Sequence, residues 1–163
     1  MQENMSNTIG QDEKTVKLCA DSHTEASVTV LLVEDEHKVR EVVREILALK
    51  GYHVLEAADA PEALHQCERH QGSIHLLLTD VQMPGMNGCR LAELVGAARN
   101  ETRVLLMSGY ADDALLRYGI ETLGAAFIQK PFLPNSLLNA VQAALEAGAA
   151  ASASGGAPAG QAA

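Results

Sequence analysis

Short apolar runs with strand character recur along the central part of the chain, separated by longer segments with helical periodicity. Each run is four to six residues long, which suits a strand better than a buried helix. Five runs are predicted to be strands: residues 28–33, 52–57, 74–79, 103–107 and 125–128. The runs at 28–33 and 74–79 are apolar over nearly their whole length, which favours central positions buried on both faces.

The intervals between the predicted strands carry apolar residues at steps of three and four, the spacing of a helix face. The helix predicted at 37–50 stops at Gly51, and Pro61 and Pro134 suit the first turns of two others. The apolar face within 37–50 consists of Val39, Val42, Val43, Ile46 and Leu47. The face after Pro134 consists of Leu137, Leu138, Val141, Ala144 and Leu145. Strand and helix alternate five times, which predicts an α/β fold with a parallel sheet between helices.

The folded unit is predicted to span residues 28–146, between two segments of different composition. Residues 1–27 hold two lysines and five acidic residues with almost no apolar periodicity, which predicts a disordered or loosely docked polar leader. Residues 147–163 carry no charged side chain and resemble a flexible Ala/Gly-rich tail, with some frayed helix in the first alanines. This tail lacks the apolar periodicity and basic charge of a DNA-binding helical domain.

The composition is typical of a globular protein and argues against several other classes. Hydrophobic residues make up 47% and charged residues 20% of the 163-residue chain, an ordinary globular balance. No apolar run approaches the roughly 20 residues that span a bilayer, and the polar amino end lacks the apolar centre of a signal peptide. A cytoplasmic location without membrane contact is therefore expected. The net charge of −9 argues against broad binding to the phosphates of nucleic acid.

Cysteine and histidine form no recognisable metal or redox motif in the sequence. The cysteines are widely spaced, so reduced thiols are expected at Cys19, Cys67 and Cys89. The histidines include no HExxH pattern and no cluster with cysteine. Surface or packing roles are expected for His23, His37, His53, His65, His70 and His75.

Charged and polar residues follow four of the five predicted strands, at the edge where parallel sheets form ligand crevices. They are Glu34 and Asp35 after the first strand, Asp80 after the third, Ser108 after the fourth, and Lys130 with Pro131 after the fifth. A lone aspartate in such a place is most often a turn former or a helix cap. Three carboxylates in a partly dry crevice repel one another, however, and a purely structural role leaves that repulsion uncompensated. A bound divalent cation would compensate it.

Mg²⁺ suits these residues, because it prefers carboxylate, water and phosphate oxygens and is commonly held by one or two protein carboxylates. Asp35 and Asp80 are predicted as direct ligands. Glu34 is predicted to act through a water molecule, and the backbone carbonyl of Gln82 is a further candidate ligand.

The same crevice has the parts of a phosphoryl-transfer site. Lys130 and the Ser108 hydroxyl are predicted to stabilise the oxygens of a phosphoryl group that arrives at Asp80, since this chemistry depends mainly on positioning and charge neutralisation. Asp80 is then the nucleophile.

Residues 28–146 resemble the receiver domain of two-component response regulators. The matching motifs, in the family's order, are "VEDE" with Glu34 and Asp35, "DVQMPGMNG" with Asp80, "MSGY" with Ser108 and "IQKPF" with Lys130. The resemblance implies a flavodoxin-like fold with strand order 2-1-3-4-5, and Mg²⁺-dependent transfer of phosphate to Asp80. The donor would be the phosphohistidine of a histidine kinase or a histidine phosphotransfer protein, and a partner would read the change of state.

The resemblance also implies roles for residues around the crevice. The peptide bond before Pro131 is cis in the family, and Phe127 matches the position of an aromatic switch. Gln82 and Tyr110 match positions that control access of the hydrolytic water. Phe127 lacks the hydroxyl of the tyrosine that some receivers carry, so a switch here would work through ring packing. Gly109 stands where many receivers have alanine, and "SGY" resembles the receivers of hybrid sensor kinases.

The sequence thus predicts a stand-alone receiver with an unknown output partner, a phosphoacceptor that catalyses only its own phosphorylation and dephosphorylation. One alternative is a receiver module of a hybrid kinase that passes phosphate onward. Another is a phosphatase of the haloacid dehalogenase type, which also uses Asp, Mg²⁺, Ser or Thr, and Lys. That family has an acid two residues after its nucleophile, where this chain has Gln82, and the chain lacks room for a substrate cap.

Overall fold

The computed structural model describes residues 27–110 and 113–152, which form one α/β unit. In order along the chain its elements are β1 (Thr29–Val33), α1 (His37–Leu49), β2 (His53–Ala57), α2 (Ala60–Arg69), β3 (Leu76–Asp80), α3 (Gly88–Ala98), β4 (Arg103–Ser108), α4 (Ala114–Leu123), β5 (Ala126–Gln129) and α5 (Pro134–Ser152). The strands are parallel, in the order β2-β1-β3-β4-β5, so the predicted fold is confirmed. Across these residues, no helix has both the length and the apolar character needed to cross a membrane.

Side chains of β1, an interior strand of the sheet, alternate between two hydrophobic cores, one on each face. Val30 and Leu32 pack with α1 and α5, whereas Leu31 and Val33 pack with α2 and α3. On the second face, Leu106 of β4 joins a further cluster with α4. All five residues of β1 are buried, which confirms the central position predicted from its apolar run.

Several helices begin at side-chain caps near the carboxyl edge of the sheet. Asp59, Asn87 and Asp113 each precede a helix and accept a hydrogen bond of 2.8–2.9 Å from a backbone amide two or three residues later. These caps satisfy amides that have no partner within the helix. They also fix the ends of the loops that form the crevice. At the opposite edge of the sheet Gly51, with a φ of 91°, follows the end of α1 as predicted.

Several predicted strand ends differ from the structure by one or two residues. Asp80 is predicted to follow the third strand, but it is the last residue of β3, because the ladder with β4 continues as far as the Asp80–Met107 pair. The helix α5 continues to Ser152, into the alanines for which some frayed helix is predicted. The reason is the run of alanines after Glu146, since alanine has the highest helix propensity. The predicted leader up to residue 26 and the remaining tail at 153–163 lie outside the described residues.

Arg99, the residue after α3, ties the end of α2 to the turn that leads into β3. Its guanidinium donates to the Cys67 carbonyl from Nε (3.1 Å) and Nη2 (2.8 Å), to the Gly72 carbonyl from Nη1 (2.7 Å), and to the His70 carbonyl. The last carbonyls of a helix have no partner within that helix, and a charged donor makes stronger hydrogen bonds than a neutral one. Arg99 therefore caps α2 from outside.

Replacing Arg99 by alanine is expected to lower the free energy of unfolding by about 2 kcal/mol, because several carbonyls lose a charged donor. Arg90→Ala is the matched control. The Arg90 side chain is 59% exposed and pairs with Glu93 at the surface, so its loss should cost less than about 0.5 kcal/mol. Urea denaturation followed by circular dichroism measures both variants. Equal losses would show that Arg99 contributes no more than a surface ion pair.

Candidate functional site

Three carboxylates and a lysine converge at the carboxyl edge of the sheet. Lys130, just after β5, reaches across β4 and places Nζ 2.8 Å from Asp80 Oδ2 and 2.6 Å from Glu34 Oε2. Carboxylate oxygens of Glu34, Asp35 and Asp80 lie within 4.8 Å of one another. The Lys130–Pro131 peptide bond is cis. The structure therefore brings together the acidic residues and the lysine that the sequence places at the strand ends.

The charged groups differ in exposure, and burial shifts two of their pKa values. Glu34 is 1% exposed, the Asp80 side chain is 14% exposed, and Asp35 is exposed. Burial raises the pKa of the Glu34 carboxyl, and this effect outweighs the opposing hydrogen bond from Lys130. Burial lowers the pKa of the Lys130 ammonium, but its hydrogen bonds to Asp80 and Glu34 outweigh burial, and the net shift is upward. Lys130 is therefore a permanent positive charge at neutral pH.

The loop after β1 is held by contacts that position Glu34. The backbone amide of Glu36 donates to Glu34 Oε1 at 3.2 Å, and Arg40 Nη1 donates to the Glu34 carbonyl at 2.6 Å. The Nε atom of Arg40 also lies 3.8 Å from Oε2 of Glu56 on β2. The sequence analysis missed Arg40. No spacing in the sequence indicates this contact, because Lys38 lies in the same first turn of α1 and is exposed.

The backbone around Asp80 is tightly enclosed by the loop that leads to α3. The amide of Gln82 donates to Asp80 Oδ1 at 3.1 Å, and the hydroxyl of the buried Thr79 donates to the Asp80 carbonyl at 3.0 Å. A Cβ atom at Gly88 would lie 2.0 Å from that carbonyl oxygen, so the first turn of α3 rests directly on it. Both oxygens of the Asp80 carboxylate thus have defined partners, Gln82 N and Lys130 Nζ. Sequence analysis missed the roles of Thr79 and Gly88.

Ser108 lies at the site, but its hydroxyl is engaged by its own loop. Oγ donates to the Tyr110 carbonyl at 3.0 Å and accepts from the Tyr110 amide at 3.2 Å. The amide of Lys130 donates to the Ser108 carbonyl at 2.8 Å, which joins the ends of β4 and β5. Tyr110 is 70% exposed, whereas Phe127 is half-buried against the core cluster beneath α4. A ligand that recruits the Ser108 hydroxyl must therefore draw it away from Tyr110.

The side chain of Gln82 contacts the residue before α4, while its backbone amide contacts Asp80. Its Nε2 donates to Asp113 Oδ2 at 2.6 Å, while Asp113 Oδ1 accepts from the Leu115 amide at 2.8 Å. An aspartate before an apolar helical segment has the signature of an N-cap, so the capping role of Asp113 has a signal in the sequence. The bond to Gln82, 31 residues away, depends on the tertiary fold.

The donor set suits a small, hard divalent cation. Within the described part of the chain, Glu34, Asp35 and Asp80 are the one group of three acidic, histidine or cysteine side chains close enough to share an ion. All three offer carboxylate oxygens, the ligands that Mg²⁺ prefers. With Lys130 beside Asp80 and Glu34, the arrangement can hold a cation and stabilise an anion next to the Asp80 carboxylate.

Known proteins similar to this chain cover most of its folded region. Residues 30–142 match the family described as response regulator receiver domain. Sensor kinase CckA from Brucella abortus (strain 2308) is 36% identical over 138 residues, which are 85% of this chain and 14% of the kinase.

Two solved structures extend the similarity to three dimensions. The receiver domain from hybrid histidine kinase CckA is 37% identical, with a TM-score of 0.61 over 72% of this chain and 98% of that chain. A CheY-like response regulator receiver domain protein from Methanospirillum hungatei JF-1 is 28% identical, with a TM-score of 0.69 over 77% and 98% of the two chains. By contrast, this chain spans between 14% and 53% of the length of four curated relatives.

Proposed function

This chain belongs to the response regulator receiver family, which acts in two-component phosphorelay signalling, and on that premise we propose that Asp80 accepts the phosphoryl group. The observation that carries the proposal is the 2.8 Å contact between Lys130 Nζ and Asp80 Oδ2. Lys130 makes a second contact with Glu34, but Glu34 is 1% exposed and the Asp80 side chain is 14% exposed. Asp80 is therefore the carboxylate beside the lysine that a phosphodonor can reach.

In the proposed reaction, an Asp80 carboxylate oxygen forms a bond to phosphorus as the bond between phosphorus and the donor histidine nitrogen breaks. The imidazole leaves with the electron pair and takes up a proton. Lys130 then binds a phosphoryl oxygen in addition to Glu34. The Ser108 hydroxyl donates to a second phosphoryl oxygen once it leaves the backbone of Tyr110.

Glu34, Asp35 and Asp80, with the backbone carbonyl of Gln82, would hold Mg²⁺. When bound, the cation offsets negative charge shared by the carboxylates and the phosphoryl oxygens. The buried Glu34 contributes a charge that Lys130 already pairs with at 2.6 Å. Asp35 is exposed and is the carboxylate of the three that is most open to a hydrated ion.

We propose a histidine kinase or a histidine phosphotransfer protein as the donor, and no reaction beyond phosphorylation and dephosphorylation of Asp80 itself. Movement of Ser108 toward the phosphoryl group would let Phe127 pack inward beneath α4, which gives an output partner a changed surface. Use as a relay intermediate of a hybrid kinase is the second candidate. It is favoured by the 37% identity to the CckA receiver. Membership of the receiver family sets the dehalogenase-type phosphatase aside.

Phosphorylation of the wild-type protein by acetyl phosphate tests the proposal. Intact-mass spectrometry is expected to show one added phosphoryl group in the presence of Mg²⁺ and none when a chelator removes divalent cations. Borohydride reduces an acyl phosphate to an alcohol, so the modified aspartate becomes homoserine and its peptide identifies the site. Urea-unfolded protein, treated in the same way, gives the level of phosphorylation that does not depend on the fold. Homoserine at a residue other than Asp80, or no addition to the folded protein, would contradict the proposal.

A further inference from the structure

We propose that Asp113 is a positioning residue that holds the Gln82 carboxamide away from the phosphoryl group and thereby lengthens the life of the aspartyl phosphate. The inference rests on the proposed phosphorylation of Asp80. Asp113 is the N-cap of α4 and lies outside the motifs that identify the site.

Gln82 makes two separate contacts, one from its backbone and one from its side chain. Its backbone amide donates to Asp80 Oδ1 at 3.1 Å, so the residue is anchored beside the nucleophile. Its side-chain Nε2 donates instead to Asp113 Oδ2 at 2.6 Å. A hydrogen bond to an ionised acceptor is stronger than one between neutral groups. The carboxamide is thus anchored next to the phosphorylation site but held at the start of α4.

Asp113 is fixed at that place by its second oxygen. Oδ1 accepts from the Leu115 amide at 2.8 Å and caps α4. Because the cap and the Gln82 contact use different carboxylate oxygens, Asp113 serves both at the same time. A residue with a single short hydroxyl at this position could keep the cap and would lose the contact with Gln82.

Loss of phosphate from Asp80 requires a water molecule in the crevice. The water oxygen bonds to phosphorus, the bond between phosphorus and the Asp80 carboxylate oxygen breaks, and the carboxylate leaves with the electron pair. The proton lost by the water passes to the phosphate. A glutamine carboxamide can orient an attacking water in phosphoryl transfer. Bound to Asp113, Gln82 is withdrawn from that role, and when released it can turn back toward the phosphorus.

Asp113→Ser separates the two contacts, because serine keeps the N-cap but does not reach Gln82. We expect the aspartyl phosphate of this variant to decay about three to ten times faster than that of the wild type, which matches the loss of one hydrogen bond. In a Gln82→Ala background the same substitution should change the decay rate by less than about 1.5-fold, since the two sites then no longer interact. Changes in net charge or in helix capping would act in both backgrounds alike.

Two measurements distinguish failure of this inference from failure of the proposed function. Intact mass of the wild type reports whether the protein takes up phosphate at all, and no uptake counts against the proposed function. The side-chain amide signals of Gln82 in the unmodified protein should shift between wild type and Asp113→Ser in ¹⁵N–¹H spectra. Unchanged Gln82 signals overturn the inference, as do equal acceleration in both backgrounds, an unaltered decay rate, or slower decay in Asp113→Ser.

Discussion

Lys130→Ala is expected to slow phosphorylation of Asp80 by roughly 100-fold, the usual cost of removing a preorganised donor to a developing anion. The ammonium contacts Asp80 at 2.8 Å and Glu34 at 2.6 Å, and alanine has no group that can replace either contact. Binding of Mg²⁺ should nevertheless be as tight as in the wild type, or tighter. The reason is that the substitution removes a positive charge from among the carboxylates that attract the cation.

Initial rates with acetyl phosphate and a calorimetric titration with Mg²⁺ test the two halves of this prediction. Lys38→Ala is the matched control, because Lys38 lines the same surface groove as Lys130 but is exposed on α1. The control should keep the wild-type rate within about twofold, because surface charges are largely screened by water and salt. Wild-type rates in Lys130→Ala would refute the assigned role. A large loss of Mg²⁺ affinity would instead show that Lys130 maintains the shape of the acidic cluster.

The charged residues of the site could be predicted from sequence because their positions depend on the topology of the backbone. Glu34, Asp80 and Lys130 lie in separate segments, yet all follow or end parallel strands, whose carboxyl ends must meet at one edge of the sheet. Periodicity established the strands and helices, and short motifs indicated which strand ends carry the chemistry. For these residues the position of the backbone fixes the neighbourhood of the side chain.

The remaining features depend on where long side chains point after the core has packed. Arg40 and Arg99 bond to backbone carbonyls of other segments, and no sequence spacing predicts such contacts. The hydroxyl of Ser108 has two competing uses, and the structure shows it bonded to Tyr110. The Gln82–Asp113 contact likewise joins two side chains whose distance is set by the approach of α4 to the crevice. Strand ends are also difficult to predict from sequence. The end of β3 is set by the end of its pairing with β4, which depends on the tertiary fold.

Gly88→Ala is expected to lower the free energy of unfolding by about 3 kcal/mol or more. The reason is that Gly88 packs directly against the backbone of Asp80. An added Cβ would lie 2.0 Å from the Asp80 carbonyl oxygen and 2.9 Å from its carbon. These are backbone atoms of a buried strand, so no side-chain rotation can relieve the contact. The first turn of α3 would have to move away from β3. That movement would break the 2.9 Å bond from the Gly88 amide to the Val81 carbonyl and shift Asp80 relative to Lys130.

Gly96→Ala, on the same helix, separates this steric effect from the general effect of replacing glycine in a helix. A Cβ at Gly96 meets no heavy atom within 4 Å, so alanine there should stabilise the protein by about 0.5–1 kcal/mol through its helix propensity. Urea denaturation gives both free energies, and the phosphorylation rate of the folded fraction reports the position of Asp80. If Gly88→Ala were as stable as Gly96→Ala, α3 could yield without cost, and the close contact between α3 and Asp80 would have no part in holding the site.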